Sequence, residues 1–190
     1  MIREPALNSS SSSYTCVAIA LHWLVALLIF FAWPMGVYMH DLPLSPQKLQ
    51  YYAWHKWAGV TVFLLALLRL AWRAGHPAPA LPEAMPRWQR QAATGLHHLL
   101  YLLILVIPLS GWLMSSAKGF QTVWFGVVPL PDLVGKDKEL GHLLEEVHEA
   151  LNFTLLGIVA IHVAAAIKHH LVDRDDILAR MLPFLRRTPS

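Results

Sequence analysis

The sequence is poor in charged residues and in cysteine. Only 14% of its 190 residues are Asp, Glu, Lys or Arg, whereas 56% are hydrophobic. This balance excludes an ordinary soluble domain, in which about a quarter of the residues are charged. Cys16 is the single cysteine, so an internal disulfide is excluded. What remains is the composition of an integral membrane protein.

Four long apolar runs contain most of the hydrophobic residues. They cover residues 16–38, 54–72, 96–116 and 147–171. Each run has roughly the length needed to cross about 30 Å of hydrocarbon. The second is the weakest, because His55 and Lys56 open it and Arg69 lies near its end. The sequence therefore predicts an all-α fold, a transmembrane four-helix bundle.

Charge placement predicts the orientation of this bundle. The second connection and the C-terminal segment are basic, with Arg73, Arg87, Arg90, Lys168, Arg174, Arg180, Arg186 and Arg187. The first and third connections are poorer in basic residues and richer in acids, namely Asp41, Asp132, Asp137, Glu139, Glu145 and Glu146. The positive-inside rule places both termini and the second connection in the cytoplasm. The net charge of +3 then reflects topology, and no nucleic-acid partner is expected.

The segments outside the spans divide the chain into three parts. Residues 1–15 are expected to form a flexible cytoplasmic tail, residues 16–171 the transmembrane domain, and residues 172–190 an amphipathic cytoplasmic tail on the inner leaflet. A solvated, frayed tail is the alternative for the last part. In the third connection, residues 123–133 are expected to form a short cap. Helical spacing of apolar residues from Leu140 predicts a turn leading into the fourth span.

Histidines within the apolar runs are the most informative residues, because a histidine inside a hydrophobic span is costly and usually functional. His148 and His162 stand fourteen residues apart in the fourth run. They therefore lie on nearly the same helical face, roughly 21 Å apart along the axis. His22 lies near the cytoplasmic start of the first run, and His55 near the outer start of the second. Depth pairs His22 with His162 in the inner half and His55 with His148 in the outer half.

Several kinds of site could satisfy such rings. Two neutral imidazoles on facing helices hold a haem iron axially, with the macrocycle buried between the helices. Zinc would need further ligands at the same depth, and a proton relay would be expected to mix carboxylates with the histidines. Neither is evident in the span cores. Two haems, one per leaflet, are the economical interpretation, and a haem-free metal transporter is the less favoured alternative. Since no Cys-x-x-Cys-His segment is present, the haems would be bound non-covalently.

Two histidine ligands leave an iron no open position, which favours electron transfer over oxygen binding. A quinone is the natural carrier within the bilayer. Arg69, Arg73, His97 and Trp112 lie near interfaces where a quinone head group could sit, although ordinary interfacial placement explains each of them. His97 and His98 are adjacent and point about 100° apart. One is expected to face the lipid head groups and the other the bundle.

Several short segments together resemble the bacterial cytochrome b561 family, which is related to the cytochrome b subunits of nickel hydrogenases and formate dehydrogenases. The resemblance covers residues 14–183. It rests on Ile19-Ala20-Leu21-His22-Trp23-Leu24, Trp54-His55 with Gly59, Arg69-Leu70, Arg73 with Pro77 and Pro79, His97 before Tyr101, Pro108 with Gly111, Trp124-Phe125-Gly126, Val147-His148-Glu149 and His162-x-Ala-Ala-Ala with His169-His170. Each segment alone is a weak signal, whereas the combination is highly specific.

The resemblance implies a di-haem b-type cytochrome of the bacterial cytoplasmic membrane that exchanges electrons with ubiquinone. The family's axial ligands match His22 and His162 for the inner haem iron and His55 and His148 for the outer one. Some members are similar in oxidising superoxide and passing the electron to ubiquinone. The basic residues that could attract superoxide here are Lys56, Lys118, Lys136 and Lys138, with acids close by in the third connection. The alternative function is that of a membrane anchor and electron-relay subunit, in which a partner electron-transfer protein does the chemistry.

Overall fold

Four long helices form the protein. The computed structural model describes residues 13–82 and 84–185. The helices are α1 (Cys16–His40), α2 (Pro46–Gly75), α3 (Arg87–Ala117) and α4 (Lys138–Lys168), and a hairpin of β1 (Val123–Trp124) and β2 (Val128–Pro129) lies between α3 and α4. Each helix is long and apolar enough to cross a membrane, and α2 has the lowest hydropathy of the four. The predicted all-α transmembrane four-helix fold is confirmed.

Side-chain caps begin three of the four helices. The hydroxyls of Thr15 and Ser45 and the carboxylate of Asp137 each accept a hydrogen bond from a backbone N–H in the first helical turn. Because a helix needs no apolar residues where it leaves the hydrocarbon, α2 and α3 begin eight and nine residues before their predicted apolar runs at 54 and 96. The turn predicted before the fourth span is the start of α4 itself.

The helices pack in chain order. α1 lies against α2, α2 against α3, and α3 against α4. The core is apolar and consists of Val25, Val62, Ala66, Leu103, Ile104, Ile107 and Leu155. The main neighbour of α4 is α3, and α4 approaches α1 through rings such as Trp33 and Phe153, whose centres lie 6.0 Å apart. The space that separates α4 from α1 and α2 is therefore spanned by side chains.

One end of the bundle carries the hairpin, and we call it the hairpin end. Three tryptophan side chains attach this segment to the helices. Trp57 on α2 donates to the Val123 carbonyl at 2.7 Å, and Trp124 in β1 donates to the Thr61 hydroxyl at 3.3 Å. Trp112 on α3 donates to the Pro131 carbonyl at 3.0 Å. The segment predicted as a cap thus lies across the ends of α2 and α3.

The opposite end, which we call the tail end, is where the C-terminal segment folds back. After α4 come a π-helical turn (His169–Asp173) and two 3₁₀ turns (Leu178–Arg180 and Pro183–Leu185). Arg174 has a φ of 55°, which turns the chain away from the helix axis. Trp23 of α1 then donates to the Met181 carbonyl at 2.9 Å, and Arg180 donates to the Ala80 carbonyl at 2.6 Å.

The described part of the C-terminal segment consists of short turns, and its position on the inner leaflet remains a prediction. Its short turns contact α1, because the Met181 carbonyl accepts from Trp23, and the α2–α3 connection, because Arg180 donates to the Ala80 carbonyl. Arg186 and Arg187 lie outside the described residues, as do residues 1–12 of the expected N-terminal tail. The division of the chain at residues 15 and 171 remains a prediction.

Candidate functional site

Two pairs of histidine rings bridge the space between α4 and the α1–α2 pair. At the tail end, the ring centres of His22 on α1 and His162 on α4 lie 6.3 Å apart, with their planes at 69°. At the hairpin end, the ring centres of His55 on α2 and His148 on α4 lie 6.2 Å apart, with their planes at 81°. The structure brings together the two pairs expected from depth, and α4 contributes one ring to each.

The ring separations fit one metal ion held between two imidazoles. A bond from an imidazole nitrogen to a first-row metal ion is about 2 Å long. Two such bonds, with roughly 1 Å from each nitrogen to its ring centre, add up to about 6 Å. Both separations agree with this sum. The donor sets therefore suit a haem iron with two axial histidines.

Hydrogen bonds orient both rings of the hairpin-end pair. The Nδ1 atom of His55 lies 3.0 Å from the Ala32 carbonyl oxygen. The Nδ1 atom of His148 lies 3.1 Å from the Ile107 carbonyl oxygen and 2.9 Å from the Ser110 hydroxyl, which itself donates to Ile107. Since a carbonyl only accepts, each Nδ1 carries the proton and each Nε2 keeps its lone pair for a metal.

Two glycines make these hydrogen bonds possible. Gly36 follows Ala32 by one helical turn, and a Cβ atom there would lie 3.1 Å from Cε1 of His55. Gly111 follows Ile107 by one turn, and a Cβ atom there would lie 3.0 Å from Cε1 of His148. In each case the missing side chain lets the ring reach the helix backbone. Both helices continue without a break through these glycines.

A cavity lies beside the hairpin-end pair. His55, Gly59 and Val62 of α2 line it from one side, and His148 and Leu155 of α4 from the other. A Cβ atom added to Gly59 would meet nothing within 4 Å. Gly59 therefore leaves open space next to the histidines.

The tail-end pair has a different environment. Within the described residues, neither His22 nor His162 has a hydrogen-bond partner on its ring. A third ring, that of His97 on α3, lies 5.4 Å from the centre of His162. Arg69 of α2 donates from Nε to the Tyr101 hydroxyl at 2.9 Å. Of the two adjacent histidines, His97 faces the bundle and His98 is exposed, as predicted.

A spacing of fourteen residues recurs in all four helices. It joins His148 to His162 in α4, and it also joins His22 to Gly36, His55 to Arg69 and His97 to Gly111. Each helix thus presents one residue to each site from nearly the same face. The tail-end layer consists of His22, Arg69, His97 and His162, and the hairpin-end layer of Gly36, His55, Gly111 and His148. Applying the α4 spacing to the other helices would have identified both glycines from sequence.

The four residues considered for a quinone head group separate into two places. Trp112 lies at the hairpin end, bonded to Pro131. Arg69, Arg73 and His97 lie together at the tail end. Among the four, only Arg69, Arg73 and His97 lie near one another in the described structure.

One cluster could hold a metal ion without haem. Among the described residues, His169, Asp173 and Asp175 are the one group of three whose ligand atoms all lie within 4.8 Å of each other. Lys168 pairs with Asp173 at 2.6 Å and His169 contacts Asp175 at 2.7 Å, so both carboxylates already have partners within the protein. His22, His97 and His162 form no such group. The absence, among the described residues, of a third ligand atom close to His22 and His162 favours a large ligand, such as a metal-containing macrocycle, over a bare metal ion between these histidines.

Comparison with known proteins gives the family. A family model described as prokaryotic cytochrome b561 matches residues 13–184. The chain belongs to that family. It is 29% identical over 186 residues to cytochrome b561 homolog 2 of Escherichia coli K12, covering 93% of this chain and 95% of the relative. It is 29% identical over 175 residues to the probable superoxide oxidase CybB of Yersinia pestis (90% and 96%), and 29% over 176 residues to cytochrome b562 of Cereibacter sphaeroides (89% and 94%).

Family membership establishes the general character of the protein. It is a multi-pass bacterial membrane protein and an electron-transport cytochrome, and binding of b-type haem follows from the family. Both histidine pairs have ring separations that suit this group, and the two hairpin-end rings keep their Nε2 atoms free for a metal.

Proposed function

We propose that the protein is a di-haem b-type cytochrome that passes electrons from a small donor at the outer membrane surface to ubiquinone. His22 and His162 would hold the inner haem, and His55 and His148 the outer one. The observation that carries the proposal is the pair of matched ring separations, 6.3 Å and 6.2 Å, in one bundle. The tail end would face the cytoplasm, because the basic residues of the α2–α3 connection and C-terminal segment lie there.

The haems would supply one-electron redox chemistry with no open coordination position at either iron. The protein's own residues do the rest. Ala32 and Ile107 hold the outer imidazoles in one tautomer through their carbonyls. Between the two sites lies the apolar core around Val62, Leu103 and Leu155, which excludes water from the path. Because the ligands are fixed and the surroundings are apolar, the reorganisation energy of electron transfer would be small.

Superoxide is the donor we propose. Oxidation of two superoxide anions releases two dioxygen molecules and two electrons, which with two protons convert ubiquinone to ubiquinol. A relative carries the name probable superoxide oxidase. Lys56, next to ligand His55, donates to the Phe120 carbonyl and forms no salt bridge among the described residues. Lys118, by contrast, pairs with Glu145 at 2.7 Å and adds no net charge to the approach.

The purified chain in lipid nanodiscs should consume superoxide while reducing a soluble ubiquinone analogue in a ratio of two to one. Lys56→Gln should slow this reaction several-fold at low salt and have less effect at high salt, since steering by a surface charge is screened. The double variant Lys118→Gln/Glu145→Gln removes a neutral pair and should leave the rate unchanged. Absence of activity in a protein that binds both haems would contradict superoxide as donor.

A relay subunit of a larger complex is the second candidate. The hairpin segment exposes apolar side chains, with Phe125 56% and Val127 78% exposed. Such residues could dock a partner electron-transfer protein as well as sit at the membrane interface. Reduction of the quinone analogue only when another subunit co-purifies would favour this candidate over the first.

A further inference from the structure

Two guanidinium groups converge on one phenol at the tail end. Arg69 donates from Nε to the Tyr101 hydroxyl at 2.9 Å, and its guanidinium carbon Cζ lies 5.7 Å from the centre of the Tyr101 ring. The guanidinium carbon Cζ of Arg73, which follows one turn later on α2, lies 5.7 Å from the centre of the same ring. Tyr101 also packs against the apolar core. We call Arg69, Arg73 and Tyr101 the arginine–tyrosine cluster.

The positive charge of this cluster has no counter-ion in the described protein. The ion pairs of residues 13–82 and 84–185 include neither arginine, and α2 and α3 contain no Asp or Glu. Arg69 is half-buried. A charged group in that position is costly unless an anion or another polar partner compensates it. Hydrogen bonding to a single phenol leaves most of the guanidinium donors free.

The cluster lies beside the tail-end histidine pair. Arg69 follows His55 by fourteen residues, so it occupies in the tail-end layer the place that a ligand histidine occupies in the hairpin-end layer. Both arginines contact Tyr101, which follows His97 by one helical turn on α3. The ring centre of His97 in turn lies 5.4 Å from that of His162. The unbalanced charge therefore faces whatever the tail-end pair binds.

We propose that the arginine–tyrosine cluster binds the propionate carboxylates of the inner haem. This inference rests on the proposed function, in which His22 and His162 hold that haem. A guanidinium fork matches a carboxylate with two parallel hydrogen bonds, and the Tyr101 hydroxyl supplies a further donor. Two arginines balance the two carboxylates of one haem b. The cluster thus fixes which edge of the inner haem points toward α2 and α3.

The test compares haem with its dimethyl ester, which lacks both carboxylates. Full-length protein would be produced in membranes of haem-deficient cells and loaded with either compound, and occupancy of the inner site measured by its absorption. In the wild type the ester should bind about ten-fold more weakly than haem, as expected from loss of a charge-assisted hydrogen bond. In Arg69→Gln, haem and ester should bind equally. Arg87→Gln, which removes an exposed charge at the start of α3, should behave like the wild type.

A second readout uses the loaded protein directly. Infrared redox-difference spectra with ¹³C-labelled propionates should show carboxylate bands that shift in Arg69→Gln and Tyr101→Phe but not in Arg87→Gln. Unshifted bands together with equal binding of haem and ester by the wild type would overturn the inference. So would an Arg69→Gln effect that is the same for both compounds, or one that appears only with anionic phospholipids. Failure to bind any haem would instead contradict the proposed function.

Discussion

At the scale of single residues, backbone carbonyls and glycines do as much as the histidines. In both α1 and α3, a carbonyl is followed one turn later by a glycine, and a histidine of the next helix in the chain rests on the two. The carbonyl oxygen holds the proton on Nδ1 of the histidine, and the glycine has no Cβ atom to collide with the ring. The free Nε2 atoms of His55 and His148 therefore point away from the supporting helices.

Adding a methyl group to either glycine should disturb the hairpin-end site. In Gly36→Ala or Gly111→Ala, the new Cβ atom would lie about 3 Å from a histidine carbon, so the ring must move by tenths of an ångström. Overpacking of this kind costs about 1–3 kcal/mol. We expect each variant to lose most of one haem or to show a shifted reduction step for that haem alone. Haem-to-protein ratio and a potentiometric titration measure the two effects.

Gly157→Ala is the matched control, because a Cβ atom at this position in α4 meets nothing within 4 Å. It should retain both haems, and the alanine should favour the helix by about 0.5–1 kcal/mol. Equal behaviour of Gly157→Ala and Gly111→Ala would show that the close contact with His148 has no consequence for binding.

At the scale of elements, α4 is the wall shared by the two sites. It packs on α3 and faces α1 and α2 across the two pairs of rings. Fourteen residues separate its histidines, which sets a step of roughly 21 Å along the axis between the two sites. The C-terminal segment after α4 returns to the tail end and contacts Trp23, the neighbour of His22.

This return of the C-terminal segment can be tested by proteolysis. Trp23→Phe keeps the ring packing but removes the donor to the Met181 carbonyl, at a cost of about 1 kcal/mol. Opening of the segment should become about five times more frequent. Trypsin should then cleave after Arg180 about five times faster in inverted membrane vesicles. Trp88→Phe, which changes an exposed ring, should leave the rate unchanged, and an unchanged rate in Trp23→Phe would contradict the docking of this segment.

At the scale of the whole molecule, the sequence predicted the four spans and the pairing of the histidines by depth. Both follow from the helical period of 3.6 residues and from the place of each residue along its apolar run, which can be read from the sequence of a membrane-spanning helix alone. The full extent of α2 and α3 did not follow, because helices continue beyond the apolar run. The roles of Gly36, Gly111 and Tyr101 depend on contacts between helices. Only the fourteen-residue spacing, had it been followed in every helix, would have pointed to the two glycines.

The bundle as a whole presents two similar sites with different surroundings. The hairpin-end rings are fixed by carbonyls, whereas the tail-end rings lie beside His97 and a pair of arginines. Two arginines beside the tail-end pair, against the single Lys56 beside the hairpin-end pair, should make reduction of the tail-end haem the easier of the two. This difference would drive electrons from the outer surface inward.

The most direct test of the account counts haems and their spin state in the purified wild type, His148→Ala and His162→Ala. The wild type should contain two six-coordinate, low-spin haems per chain. Each variant should lose one haem or convert it to a five-coordinate form, on His55 in the first case and on His22 in the second, while the other haem stays unchanged. Two unaltered low-spin haems in both variants would contradict the claim that α4 supplies one ligand to each site.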